Sequence, residues 1–453
     1  MQITGKNISL LTDLYQLTMA ATYYQKQMFA PATFSLFIRK YPPDRGYFIS
    51  AGLEDVLDFL ETFHFSHESL DYLKKTGMFS DDFLHYLSDL RFTGDVYAMP
   101  EGRLFFKDEP VLEVTAPIIE AQLVETFIIN AMNLPIVIAG KAARCVHAAR
   151  GRKLIDFSLR RTQGMDAGLK VARSSYIAGF DGTSNVLAGK LYDIAISGTM
   201  AHSYVTSFDE EIDSFRAFAE VFPDSTVLLI DTFDTIQGAY KALEVAQEMA
   251  EKGKQIRGVR LDSGDMTQLS KEVRKIFTDA GMGNIHIFAS GGYDEYKISD
   301  AVENDAEIDG FGVGTKMGVS ADAPYLDIAY KLVRYDNRPL LKLSSGKKTL
   351  VNKKQVFRNT QDGKPAGDVI ALRDEVLEGD PLLQHVMDNG RSQIEPEPVK
   401  NIRERFLNEL DHLDNAFKQL KNPKKYPVEM SPELQKLQKE VVQEIREKEL
   451  GES

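Results

Sequence analysis

A chain of 453 residues that is 43% hydrophobic can bury a large core and is long enough for two domains. Its formal net charge of −13 excludes the global basic footprint of a dedicated nucleic-acid binder, so an anionic ligand must be held by a local cluster of cations. A single cysteine, Cys145, excludes an intramolecular disulfide and a cysteine zinc site.

The first residues, MQITGKNISLLTD, lack the basic start and long apolar core of a signal peptide. With no run of about 18 apolar residues, the expectation is a cytoplasmic, soluble protein without a membrane span. Residues 1–135 mix helices and strands. In SLLTDLYQLTMAATYYQ, Thr12 is the predicted N-cap and Leu14, Leu17 and Ala21 share a face. Residues 91–117 alternate short apolar runs with Gly and Pro, which predicts antiparallel strands. Pro117 then opens a helix with Ile119, Leu123, Phe127 and Ala131 on one side.

Residues 136–318 have a rhythm. Apolar runs recur as KLIDF (153–157), YDIAI (192–196), TVLLID (226–231), GVRLD (258–262), IHIFAS (285–290) and IDGFGVG (308–314), with a weaker strand near 179–185. Helical patterns separate them. The clearest, TIQGAYKALEVAQEMAEKG, sets Ile236, Tyr240, Leu243 and Met249 on one side and stops at Gly253. Alternating strands and helices predict an α/β fold, a parallel βα barrel that is closed or nearly so. Residues 319–453 open with two or three strands, including the basic KKTLVNKKQVFR. After EPEPVK they turn helical and charged, with a Pro-rich break at NPKKYPVEMSPEL.

Ligands of parallel barrels bind at the C-terminal ends of the strands. Those ends supply Ser158, Arg160 and Arg161; Ser184; Thr199 and His202; Asp231 and Asp234; Arg260, Asp262 and Asp265; Ser290, Gly291 and Gly292; Gly312, Gly314 and Thr315. Strand ends are polar in any barrel, which accounts for Gly, Ser and Asp but less well for arginines and a histidine. The turns at 290–292 and 312–315 can bring backbone amides close to a phosphate, or can simply be tight turns. Arg160 and Arg260 can pair with carboxylate or phosphate oxygens, or be solvated surface cations. Asp231, Asp262 and Asp265 can hold Mg²⁺ indirectly or orient a histidine; Asp234 and Asp265 can equally be helix N-caps. His202 reads as a general base, a phosphate acceptor or a satisfied polar residue, and the nearby carboxylates could fix its tautomer. Together these point to phosphorylated-sugar chemistry with a phosphohistidine. His64 and His67, in FHFSHES, read as an exposed helix junction.

The same residues lie in stretches that resemble the nicotinate phosphoribosyltransferase family. These are TDLYQLTM (12–19), FIRKYPPDRGYFISAGLEDVLDFL (37–60), DFSLRRTQG (156–164), AGFDGTSNVLAG (178–189), GTMAHSYV (198–205), LLIDTFDT (228–235), VRLDSGD (259–265), FASGG (288–292), GFGVGTKM (310–317) and KKQVFR (353–358). The resemblance implies a type II phosphoribosyltransferase: an irregular parallel βα barrel, with a second α+β domain formed from the N- and C-terminal segments. It implies a homodimer with shared active sites. The implied reaction, a step of NAD biosynthesis, joins nicotinate to phosphoribosyl pyrophosphate. It gives nicotinate mononucleotide and pyrophosphate, with Mg²⁺ as cofactor and ATP as co-substrate.

Carried over by position, His202 would be the phosphohistidine and Thr199 would contact nicotinate. Phe157 and Tyr15 of the partner subunit would sandwich the pyridine ring. Arg260 would bind the nicotinate carboxylate or the diphosphate, and Arg160 the diphosphate. Gly291, Gly292, Gly314 and Thr315 would cradle the ribose 5-phosphate, and Ser290 would belong to the substrate site. Asp231 and Asp262 would meet the ribose hydroxyls or the Mg²⁺-diphosphate, with no direct protein metal ligand otherwise implied. Ser184 stands where amide-using relatives carry an acid, which favours nicotinate over nicotinamide. No paired acids precede a Thr-Thr-Gly turn, the mark of type I phosphoribosyltransferases, and Val351-Asn352 stands where the family often has Pro-Gly. The alternatives are a nicotinamide- or quinolinate-using enzyme, opposed by Ser184 and by His202 respectively, and a non-catalytic nucleotide-binding barrel.

Overall fold

The structure, a computed structural model, describes residues 5–343 and 349–451. Residues 347 and 348, the start of the KKTLVNKKQVFR stretch, lie outside them. The chain forms two compact units, one of Ile138–Pro324 and one that joins Met1–Val137 to Tyr325–Ser453.

The first unit is built on six short strands: β1 (Lys153–Asp156), β2 (Gly182–Thr183), β3 (Val227–Leu229), β4 (Gly258–Leu261), β5 (His286–Ala289) and β6 (Gly310–Val313). All pair in parallel, in the order β2-β1-β6-β5-β4-β3. The last strand of this unit therefore lies beside its first, Gly310 opposite Lys153 and Val313 opposite Asp156. That strand order is the one a barrel gives when its ring is interrupted at one place. A one-residue parallel bridge from Thr183 to Ile196 extends the ring, and the described ladder is interrupted between Ile196 and β3. Leu154, Val259, Leu261, Ile287, Ala289, Phe311 and Val313 are buried, as parallel strands covered on both faces require.

Two local expectations change here. YDIAI is not a strand. Tyr192 ends a helix, Val186–Tyr192, Asp193 turns the chain with a left-handed φ of 53°, and Ile196 is exposed apart from its single bridge. The helix Thr235–Glu251 buries Gly238, Ala239, Ala242, Val245, Ala246 and Met249, while Tyr240 is exposed. Its inner face is made of small residues because the helix lies directly on β3's exit; a Cβ at Gly238 would collide with the Ile230 carbonyl.

In the other unit both chain ends share one seven-stranded antiparallel sheet. One of its inner strands, Pro31–Ile38, is flanked by Pro110–Pro117 on one side and Ile328–Tyr335 on the other. A four-stranded sheet is centred on Lys354–Gln361 and Lys364–Leu372. Glu113 is buried between them. It accepts from the Lys354 amide at 2.9 Å, faces Lys354 Nζ at 2.9 Å and Arg373 at 2.8 Å, and accepts from Ser35 Oγ at 2.5 Å. Burial would raise this carboxyl, but the two cations outweigh it and hold it below the usual carboxylate range.

The first helix is Leu14–Gln25, and its N-cap is Asp13, not Thr12. The Asp13 carboxylate does not cap an amide; it accepts from Thr126 Oγ1 at 2.9 Å. The helix opened by Pro117 breaks after Leu123, and Phe127 and Ala131 belong to a second helix, Glu125–Ala149. That helix is long and apolar enough to cross a membrane, contrary to the expectation from apolar runs. Its buried Lys141 and Arg144 pair with Glu295 at 2.6 and 2.8 Å, and Lys141 also with Asp322 at 2.6 Å, which marks it as a core helix of the folded chain.

Candidate active site

The ladder hydrogen bonds continue one residue past several barrel strands. The Phe157 amide donates to the Val313 carbonyl at 2.8 Å, Ser184 to Asp156 at 2.8 Å, and Ser290 to Leu261 at 2.8 Å. These rim residues are therefore held by the barrel itself rather than by free loops.

Asp156, the last residue of β1, is a clamp. Its carboxylate accepts from the Ser158 amide at 2.9 Å, Ser158 Oγ at 2.5 Å and Thr183 Oγ1 at 2.8 Å. Burial nevertheless pushes its pKa up. It fixes the turn that presents Phe157, Arg160 and Arg161 and ties it to β2. The sequence reading passed over it because it looks like any acid at a strand end.

Arg260, near the end of β4, is the hub. Its Nη2 donates to the Met200 carbonyl at 2.6 Å and its Nη1 lies 3.5 Å from Ser290 Oγ. Its guanidinium sits 6.0 Å from the centroid of the Phe157 ring. That ring occupies space left by Gly312, where a Cβ would come within 2.5 Å of it. Burial lowers the Arg260 pKa, Asp262 and Asp231 oppose the shift, and the charge of Arg160 adds to it.

The acids form a chain. Ser290 Oγ donates to Asp262 Oδ1, and the Asp262 amide and Ser263 Oγ donate to Asp231 Oδ2 at 2.9 and 2.7 Å. Asp231 is nine-tenths buried, and its Oδ1 has no partner among the described residues. Asp234 and Asp265 are helix caps, accepting from the Gln237 amide at 2.8 Å and from the Thr267 and Gln268 amides at 3.1 Å.

His202 opens a short helix, His202–Val205, and is exposed at the rim. Its Nδ1 lies 3.1 Å from Thr232 Oγ1. The expected carboxylate partner is thus replaced by a hydroxyl, and the described hydrogen bonds of the Asp231 and Asp262 carboxylates go to Ser263, Ser290 and a backbone amide. The turn ahead of His202 is anchored at both ends. The Ser197 amide donates to the Thr183 carbonyl at 2.9 Å, and the Met200 carbonyl accepts from Arg260. Thr199, half-buried, sits between these anchors.

Gly291 has φ +99°, and a Cβ there would strike the Asp262 carbonyl; Gly292 has φ +71° and faces open space. Gly314 and Thr315 follow β6. Two lysines that the sequence reading did not single out stand by these turns. Lys297 Nζ donates to the Gly291 carbonyl at 2.7 Å, and Lys316 Nζ to Asp294 Oδ2 at 2.7 Å. A signal existed for Lys316, which directly follows Thr315. Tyr15 is carried by the other unit, on the helix Leu14–Gln25, with half its surface exposed.

Three family models match the chain in tandem. They are the nicotinate phosphoribosyltransferase N-terminal domain over residues 10–133, the nicotinate phosphoribosyltransferase family over 152–368, and the C-terminal domain over 377–438. A nicotinate phosphoribosyltransferase of Mycobacterium tuberculosis is 48% identical over 425 residues, covering 93% of this chain and 91% of its own. One of Bacillus subtilis is 36% identical over 458 residues, covering 94% and 93%. The crystal structure of human nicotinic acid phosphoribosyltransferase superposes with a TM-score of 0.86 at 28% identity, covering 95% of this chain and 99% of that one. A nicotinate-nucleotide pyrophosphorylase from Pyrococcus furiosus gives 0.76 at 25% identity, covering 91% and 97%.

Proposed function

The chain belongs to the nicotinate phosphoribosyltransferase family, and from that premise we propose that its barrel rim joins nicotinate to phosphoribosyl pyrophosphate and couples the reaction to ATP through His202. The observation that supports this reading best is the placing of Arg260 beside the Phe157 ring. A pyridine stacked on Phe157 puts its carboxylate within reach of a fixed cation, and Arg260 matches a carboxylate with two donors.

The pyridine nitrogen attacks the anomeric carbon of the ribose as the bond to pyrophosphate breaks, so the step needs no strong general base. What it needs is charge stabilisation on the leaving group, an electrostatic task for Arg160 and its surroundings. The turns at Ser290–Gly292 and Gly314–Thr315 receive the 5-phosphate through backbone amides, with Lys297 and Lys316 close by. Asp231 and Asp262 suit Mg²⁺, a hard cation that takes oxygen ligands, and the buried Oδ1 of Asp231, without a partner among the described residues, fits such a role. When bound there, Mg²⁺ would neutralise charge on the diphosphate. Ser184 leaves the base pocket without a negative charge, which suits an acid rather than an amide. His202, accessible at the rim and steadied by Thr232, is the acceptor of the ATP γ-phosphate, releasing ADP.

The partner in this proposal is a second copy of the chain. Leu159, Met165, Val186, Leu187, Leu191 and Ile196 are exposed apolar residues in the segments that leave β1 and β2. A dimer that covers them can bring in Tyr15 of the partner subunit to close the aromatic sandwich. The single, buried Cys145 is compatible with a reducing cytoplasm, where we place the enzyme.

The test is mononucleotide formation from phosphoribosyl pyrophosphate and Mg²⁺ with nicotinate, nicotinamide or quinolinate, each with and without ATP. Product from nicotinate, increased by ATP, is expected. Preference for another base overturns the substrate, and no product overturns the enzyme. In His202→Ala, weak transfer should persist while ATP hydrolysis disappears; retained hydrolysis would sink the phosphohistidine.

A further inference from the structure

A cavity of about 610 Å³ lies within the unit formed by the two chain ends, built from the helix Leu53–Thr62, the turn around Pro100–Arg103 and the segment 384–405. Its volume is that of a small-molecule site. Leu53, Leu57, Val386, Ile394 and Ile402 supply apolar surface. The charged part of the lining is predominantly negative, six carboxylates against two guanidiniums.

The pairing within that set decides which charge remains. Arg405 is held by Glu397 at 2.6 and 2.8 Å and by the Glu101 carbonyl at 2.5 Å. Arg103 is held by Asp380 and Glu409, both at 2.5 Å and neither of them in the lining. The Glu101 carboxylate accepts from the Gly52 and Leu53 amides at the start of the helix. So both cations are already matched. Asp58 and Glu395 make no ion pair among the described residues, and Glu61 has only an exposed contact with Arg391 at 4.0 Å. Asp58 and Glu61 also stand at i and i+3 of one helix, a like-charge pair that works against the helix. An acidic pair beside an apolar floor, in a concave space, focuses negative potential inward.

We infer that this cavity binds a small organic cation with an apolar body, an aryl- or alkyl-ammonium, in a site separate from the barrel rim. The ammonium meets Asp58 and Glu395 while the hydrocarbon lies on Leu57, Val386 and Ile394. The inference does not depend on the proposed reaction.

The test uses the full chain and three probes of one shape, 4-phenylbutylammonium, 4-phenylbutanol and 4-phenylbutyrate, in titration calorimetry at low ionic strength. The ammonium should bind saturably and at least about tenfold tighter than the alcohol, the carboxylate should not bind, and added salt should weaken the ammonium. Asp58→Asn with Glu395→Gln should weaken the ammonium at least about fivefold, and Ile394→Trp, which fills the cavity, should remove it, both with unchanged circular dichroism. Absence of saturable ammonium binding overturns the inference. So does a preference over the alcohol below about tenfold, or binding that survives the double substitution, which would place the ammonium elsewhere on this acidic protein.

Discussion

The hydroxyl of Thr232 meets the imidazole of His202 at 3.1 Å, and one hydrogen bond is the described restraint on an exposed ring. Thr232→Val should therefore reduce ATP hydrolysis by roughly tenfold, the value of about 1.4 kcal/mol, while ATP-independent transfer is kept and Thr232→Ser restores most of the loss. Equal loss of both activities would show a structural role instead. Ser184 carries the substrate argument. Ser184→Asp should lower kcat/KM for nicotinate at least about tenfold, since like charges some 4 Å apart repel by about 4 kcal/mol near a protein surface, and should raise relative use of nicotinamide. At Gly291 two constraints coincide, the φ of +99° and the approach to the Asp262 carbonyl. Gly291→Ala should raise KM for phosphoribosyl pyrophosphate more than for nicotinate, because the displaced turn is the one proposed to receive the phosphate.

Among the elements, the buried Glu113 ties strand Pro110–Pro117 to Lys354 and Arg373. Its folded pKa lies below the unfolded one, so the native state binds fewer protons there. The resulting stability is complete above the unfolded carboxylate pKa of about 4.3 and is lost as pH falls through the folded value. Urea melts from pH 7 to pH 3 should show the wild type losing stability on the acid side more steeply than Glu113→Gln. At pH 7 the variant should already be weaker by about 3 kcal/mol, because the buried Lys354 and the partly buried Arg373 lose their partner. The helix caps were legible because a cap is a local signal. Asp234 and Asp265 cap as the alternative reading had it, whereas the cap read at Thr12 falls instead at Asp13, whose carboxylate is held by Thr126, far along the chain.

For the whole molecule, the proposed dimer makes activity depend on protein concentration. Leu187→Glu with Ile196→Glu should shift the protein toward monomer in sedimentation, and activity should fall with it, because the site would lose Tyr15 of the partner subunit. A monomeric variant with full activity would show that one chain's rim suffices.

The sequence by itself determined the family, the parallel α/β pattern and the roster of rim residues. Each of these rests on short-range patterns: apolar runs of strand length, polar strand ends, and motifs such as DFSLRRTQG and GTMAHSYV. Only the tertiary structure decided that β6 lies beside β1, that YDIAI contributes one bridge rather than a strand, and that the helix Thr235–Glu251 turns its small residues inward. It also gave His202 to Thr232 and made Asp156 a clamp. The physical reason is common to these cases. Hydrophobic periodicity records that a residue is buried, but which strand pairs with which, how closely two backbones approach and which hydroxyl reaches a ring nitrogen are set by contacts between residues distant in the chain.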